Sequence, residues 1–163
     1  MAISKSVYYG YTLRMPNSPQ QQWVLSQLPV PVTAMFTSSS TDEVAAEGII
    51  PITGCSFNEV GGKINTDGTF SIPAGMYRIK FQTLVGTSEA TVGIVSISLN
   101  AGTTTVLESA ATVQGDAVTV QGEILLSCSG CNVKWSLVNT SENAVTPTSM
   151  GLYTAQVIIE RIL

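Results

Sequence analysis

Wherever apolar and polar residues alternate regularly along this chain, they do so with a period of two. The longest such stretch is 68–85, GTFSIPAGMYRIKFQTLV: a short strand, a Pro-Ala-Gly corner, then a long strand. In that strand Tyr77, Ile79, Phe81, Thr83 and Val85 share one face and Arg78, Lys80 and Gln82 the other, with Leu84 alone breaking the polar side. One apolar face and one charged face at this period predict a half-buried antiparallel strand. Val95, Ile97 and Leu99 alternate with Ser96 and Ser98, and Val133, Trp135 and Leu137 with Lys134 and Ser136. Val118, Val120, Ile124 and Leu126 oppose Thr119, Gln121 and Glu123, while Tyr153, Ala155, Val157 and Ile159 form the inward face of a last strand over 151–163. Gly122 falls on an inward position, which predicts a bulge or a close backbone approach.

Between these runs stand turn residues. Gly61-Gly62 and the Asn65-to-Gly68 segment predict hairpin-type turns, and Asn100-Ala101-Gly102 a tight turn before a short return strand over 103–107. A first short strand is predicted over 32–36. The segment 48–54 contains Pro51, which places it at a sheet edge or a bulge, and Phe57 follows in a short extended piece. Only 43–47, ended by Gly48, can hold a single helical turn. Residues 139–149, with Pro147, read as a long polar loop. About eight short strands at roughly ten-residue spacing, no amphipathic helix and no repeated unit predict an all-β fold. It is an antiparallel sandwich or jelly roll over 32–163.

Residues 1–31 differ. Tyr8, Tyr9, Tyr11, Leu13, Met15 and Trp23 are interspersed with Gly10, Pro16, Pro19, Gln20, Gln21, Gln22, Pro29 and Pro31. The prolines forbid a helix or a central strand, yet a disordered tail should be poor in aromatics. The segment reads as an extended N-terminal arm that binds a partner through Tyr8, Tyr9, Tyr11, Leu13 and Trp23, or else packs back on its own domain.

Composition sharpens this picture. Hydrophobic residues make up 44% of the chain and charged residues 11%, against about 25% charged in an average globular protein. So low a charge suggests surface buried against copies of the chain or other proteins; a neutral Ser, Thr, Asn and Gln surface is the alternative. The net charge of −4, with Lys and Arg scattered singly, argues against nucleic acid. No apolar run approaches the roughly 20 residues of a membrane span, and the start MAISKSVYYGYTL lacks the apolar region of a secretory signal, so synthesis in a cytosol is expected.

The residues offer little for chemistry. The chain has no His, the commonest general base and metal ligand. Its acids are dispersed, and Asp42, Glu43 and Glu47 read as a solvated face rather than a calcium site. Cys128 and Cys131 have CxxC spacing, but no helical pattern follows to activate a thiolate, and a structural zinc would need four ligands. Together with Cys55 they read as reduced thiols. No catalytic residue, cofactor or metal is expected.

The segment Thr69-Phe-Ser-Ile-Pro-Ala-Gly-Met-Tyr-Arg-Ile-Lys-Phe81 resembles the C1q and tumour-necrosis-factor-like domains, in which a Phe, a Pro and Gly corner and an aromatic open a long central strand. The closing run Met150-Gly-Leu-Tyr-Thr-Ala-Gln-Val-Ile-Ile-Glu-Arg-Ile-Leu163 resembles their C-terminal strand. The resemblance implies a jelly roll that forms a homotrimer about a three-fold axis, with Phe70, Tyr77, Ile79, Phe81, Tyr153, Val157 and Ile159 as its core or trimer scaffold. Animal members are secreted, often bind calcium and follow a collagen stalk; this sequence shows no counterpart of these features. The same fold occurs in phage structural proteins. The resulting expectation is a non-enzymatic virion protein, made in the host cytoplasm. It would be a trimeric decoration or cement protein held on a phage capsid through its arm, with the major capsid protein or another virion protein as partner. The alternative is a fibre-tip or spike module that binds a host receptor or glycan through loops such as 139–149.

Overall fold

The computed structural model describes residues 6–8, 11–13, 32–87, 93–130 and 132–162. The chain divides into two units, Met1–Val30 and Pro31–Leu163. In the first, β1 (Ser6–Tyr8) and β2 (Tyr11–Leu13) pair antiparallel, Ser6 opposite Leu13 and Tyr8 opposite Tyr11. A short hairpin therefore occupies part of the segment expected to be a single extended run.

The second unit is built from strands alone. They are β3 (Val32–Ser38), β4 (Ile49–Ile50), β5 (Gly54–Asn58), β6 (Lys63–Ile64), β7 (Phe70–Ser71), β8 (Gly75–Thr87), β9 (Ile94–Ala101), β10 (Thr104–Thr112), β11 (Val118–Cys128), β12 (Trp135–Asn139), β13 (Val145–Pro147) and β14 (Ala155–Arg161). Two antiparallel sheets of six strands face each other. One runs β10-β9-β12-β7-β6 with β4 also paired to β12; the other runs β11-β8-β14-β3-β5 with β13 also paired to β8. Sequence-distant strands are thus spatial neighbours, as in a jelly roll.

The stretch 68–85 supplies the middle of the second sheet. Its expected short strand is β7, in the opposite sheet, and its long strand is β8, two residues longer than the alternation alone indicated. The corner between them is held by the aromatic that follows it. Tyr77 is fully buried and its hydroxyl donates to the Pro73 carbonyl at 2.9 Å, which satisfies the phenol where no water reaches it; burial also raises its pKa. The odd-numbered residues Tyr77, Ile79, Phe81 and Val85 are buried against Val95, Ile97, Leu99 and Leu137 from the facing sheet, and Val157 and Ile159 of β14 join them. Phe36, Phe70 and Trp135 extend this core as an aromatic run, with ring centroids 5.2 Å and 6.4 Å apart. Thr83, expected on the same face, is buried too, its hydroxyl satisfied by the Thr154 carbonyl at 3.0 Å.

Gly122 marks a close approach rather than a bulge. The register between β11 and β8 runs unbroken from Val118–Val85 to Cys128–Gly75. A Cβ at Gly122 would lie 2.8 Å from Leu107 Cδ2 and Ser109 Oγ and 2.9 Å from Phe81 Cε1. The missing side chain lets β10 close over the edge of the sandwich.

Three expectations are corrected. The helical turn at 43–47 is a hydrogen-bonded turn, because Val44 is buried and bridged to Val145 and Glu47 takes a left-handed conformation with φ 62°, which ends any helix. Residues 139–149 are not a free polar loop. Asn139 ends β12, 145–147 form β13, and Asn139 is fully buried. Its Nδ2 donates to the carbonyls of Val44, Ala45 and Asn143 at 3.1, 3.1 and 2.9 Å, and its Oδ1 accepts from Ser141 N at 3.0 Å. Finally, Tyr153 lies before β14 rather than on its inward face; it is half-buried, and its hydroxyl meets Ser56 Oγ at 2.7 Å.

At one end of the sandwich Asp67 accepts hydrogen bonds from Lys134 Nζ, Thr69 N and the Thr69 hydroxyl. These bonds, the lysine's first, lower its pKa from 3.8 to about 2.

Two measurements test these polar anchors. Asn139→Leu removes four hydrogen bonds and strands buried carbonyls, so it should lower unfolding stability by about 3 kcal/mol or more, read as a fall in the denaturant midpoint. For Asp67 the folded pKa is depressed, so its contribution is complete above pH 3.8 and is lost as pH falls through about 2. The thermal-midpoint gap between wild type and Asp67→Asn should be constant well above pH 3.8, narrow as pH falls from there, and close only below about pH 2.

Candidate functional site

Chemistry first: among the described residues no group of three or more His, Cys, Asp or Glu could hold a metal ion. Cys128 is buried, with its thiol directed to the Gly130 carbonyl at 3.4 Å, and Cys55 is exposed on β5; Cys131 lies outside the described residues. Glu108 accepts from the hydroxyls of Ser96 and Thr140 at 2.8 and 2.9 Å, and these bonds lower its pKa, Ser96 first. The cluster ties β9, β10 and the chain after β12 together, and offers neither a nucleophile–base pair nor an oxyanion site.

Of the residues singled out for partner binding, Tyr9 and Trp23 lie outside the described residues. Tyr8, Tyr11 and Leu13 fall on β1 and β2, where only the strand pairing is described. The scaffold residues Phe70, Tyr77, Ile79, Phe81, Val157 and Ile159 are all buried between the two sheets. They hold the fold together from inside and present nothing to a partner.

What the fold does present is the outer face of the β11-β8-β14-β3-β5 sheet. Because strand register places residues side by side, this face is organised in rows that cross the strands. Leu125 stands opposite Arg78, Arg78 opposite Glu160, and Glu160 opposite Thr33. The next row is Glu123, Lys80, Ile158, Met35 and Phe57, and the one after it Gln121, Gln82, Gln156 and Thr37.

The charges of this face neutralise one another within the chain. Arg78 Nη1 lies 3.3 Å from Glu160 Oε2, and Lys80 Nζ 3.2 Å from Glu123 Oε2. Arg78 Nε approaches Glu123 Oε1 at 3.3 Å without a well-aligned hydrogen bond. Two cations meet two anions, so the patch carries no net charge. Half-exposed pairs of this kind add little stability, up to about 1 kcal/mol each, and their main consequence is to leave the face electrically neutral. Around them the apolar side chains stay uncovered: Leu125 is 61% exposed, Phe57 45%, and Met35 and Ile158 are half-buried. A depression of about 360 Å³ lies at the centre, lined by Lys80, Gln82, Gln121, Glu123, Gln156 and Ile158.

The alternation had shown which residues of the strands over 77–85, 118–126 and 151–163 point outward. It could not show the rows, because β8 and β14 are neighbours across some seventy residues of sequence. The outward placement of Leu125 was legible from its parity with Glu123, but a single apolar residue on a polar strand face carries no signal by itself.

No family model matches the chain, and no curated protein matches it in sequence. Solved structures do match in shape. A tumour necrosis factor, Eiger, from S. frugiperda superposes with a TM-score of 0.65 at 13% identity, over 83% of this chain and 94% of that one. Murine APRIL gives 0.59 at 9% identity, over 82% and 100%. The globular domain of zebrafish complement 1qA gives 0.55 at 10% identity, over 80% and 95%. At such identities the likeness concerns architecture, and it agrees with the corner motif and the closing strand: the chain has the C1q/TNF-like jelly-roll fold.

Proposed function

We propose that this protein is a non-enzymatic structural virion protein, a homotrimeric decoration or cement protein that binds a phage capsid through residues 1–31 and stabilises it. The observation that carries the self-assembly part is the outer face of the long-strand sheet. It is neutral, edged with uncovered apolar side chains, and set in a chain that is only 11% charged, which is the composition of surface that goes into an interface. Its extent bounds the geometry. Five strands at about 4.8 Å and three rows at about 6.8 Å cover roughly 500 Å², below the roughly 800 Å² per partner of a stable interface. The face therefore needs further area from another part of the neighbour, as a closed ring of heterologous contacts provides.

The virion part rests on the arm and on what the domain lacks among its described residues. Aromatic side chains set between prolines suit anchoring to a protein surface. The arm forms a unit separate from the jelly roll, and the jelly roll holds no catalytic constellation. In this reading the protein is made in the host cytoplasm and ends in the virion, with the major capsid protein or another virion protein as its partner.

Light scattering on the purified chain should give three times the 17.2 kDa chain mass; a monomer at every concentration overturns the assembly. Leu125→Lys adds an unpaired cation to the face at a position exposed enough to spare the fold. It should shift the association midpoint upward at least 100-fold, since burying an unpaired charge costs several kcal/mol. Replacing Tyr8, Tyr9, Tyr11 and Trp23 together with Ser should leave a folded trimer that no longer co-sediments with capsids. Undiminished co-sedimentation would remove the arm from the proposal.

A further inference from the structure

The centre of the same face holds a feature that self-assembly alone does not require. Gln121, Gln82 and Gln156 stand directly opposite one another on β11, β8 and β14. Thr37 continues the row on β3. Gln156 Nε2 donates to Gln82 Oε1 at 2.9 Å. Each carboxamide carries two donors and an oxygen with two lone pairs, so one internal bond leaves most of the row's hydrogen-bonding capacity facing outward, into the central depression that these three glutamines line.

We infer that this glutamine row sets the register in which a second copy of the chain seats on the face, and thereby fixes the number of subunits in the assembly. The inference rests on the homotrimer reading. Its physical basis is a contrast between neighbouring rows. Ile158, Met35 and Phe57 adhere to any apolar surface, because hydrophobic contact is non-directional. Arg78, Lys80, Glu123 and Glu160 pair their charges inside the chain, so reading a partner with them would mean loosening those pairs. The carboxamides are directional, neutral and largely unspent. A partner displaced along the face would strip their water and leave donors and acceptors unmatched, which is costly in a buried contact. A polar group within an otherwise apolar contact selects one register and one stoichiometry at some loss of stability, as a buried Asn does in coiled coils. A second copy is the occupant that suits this row. The face bears no net charge to attract a charged partner, and a copy of this chain, only 11% charged, offers the neutral donors and acceptors that carboxamides bind.

The test uses the full chain with Gln82→Leu and Gln156→Leu combined, and separately Gln82→Glu and Gln156→Glu combined, each followed by native mass spectrometry and sedimentation across concentration. The Leu pair should still associate, but as two or more stoichiometries in place of one. The Glu pair should shift the association midpoint upward at least 100-fold. A Leu pair that keeps the single wild-type stoichiometry overturns the registry role, whichever way the Glu pair behaves. A monomeric wild type overturns the assembly reading and the row with it, so the two failures are told apart by the wild-type control. Should either double variant fail to fold, as judged by circular dichroism, Gln121→Leu at the exposed end of the row decides on the same criterion of one stoichiometry or several.

Discussion

Everything in this jelly roll depends on the long strand β8 being paired on both edges while one of its faces is sealed. Along one edge it runs in register with β11 from Gly75 to Val85. Along the other it pairs first with β14 and then, past Thr83, with β13. Its inward side chains meet the facing sheet. A slip of one residue would carry Arg78 and Lys80 inward and expose Tyr77, Ile79 and Phe81. The register is therefore fixed by burial, and the outer rows follow as a consequence, since the same pairing that aligns Phe81 with Val157 and Gly122 aligns Gln82 with Gln156 and Gln121.

The ends of the sandwich are secured differently, by polar side chains that take over main-chain bonding where strands stop. Asn139 gathers the carbonyls of Val44, Ala45 and Asn143 at the close of β12. Tyr77 holds the corner through Pro73, and Asp67 draws Lys134 against the turn before β7. Each converts irregular chain into a rigid margin. A segment that looks like a tip suited to ligand binding, 139–149, is by this means drawn into the framework.

In the proposed reading, function lies on surfaces. The interior of the domain is spent on packing, and Asp67, Glu108, Glu123 and Glu160 are engaged by lysine, arginine or hydroxyl partners at the margins and on the outer face. On the proposal above, the neutral face with its apolar edges and amide row would make the oligomer and the aromatic arm would fasten it, so the two tasks would fall to different parts of the chain.

Much of this was legible in the residues. The period of two marked the strands, the Pro-Ala-Gly corner and its aromatic marked the long central strand, and Gly122 marked either a bulge or a close backbone approach. These are local properties, set by how neighbouring side chains alternate and by backbone stereochemistry, and local patterns survive in sequence. The single turn at 43–47, the polar appearance of 139–149 and the inward placement of Tyr153 were misread for the same reason: a buried Val44, a hydrogen-bonded Asn139 and a partner for Tyr153 at Ser56 are contacts between distant segments. The candidate site belongs to this second kind. Sequence by itself determined which side chains of the long alternating strands face outward; only the tertiary structure decided which strands lie side by side, and hence that three glutamines form a row, that the charges cancel, and that the apolar residues border them. Strand order is settled by the burial of the whole core, a property no single stretch of sequence contains.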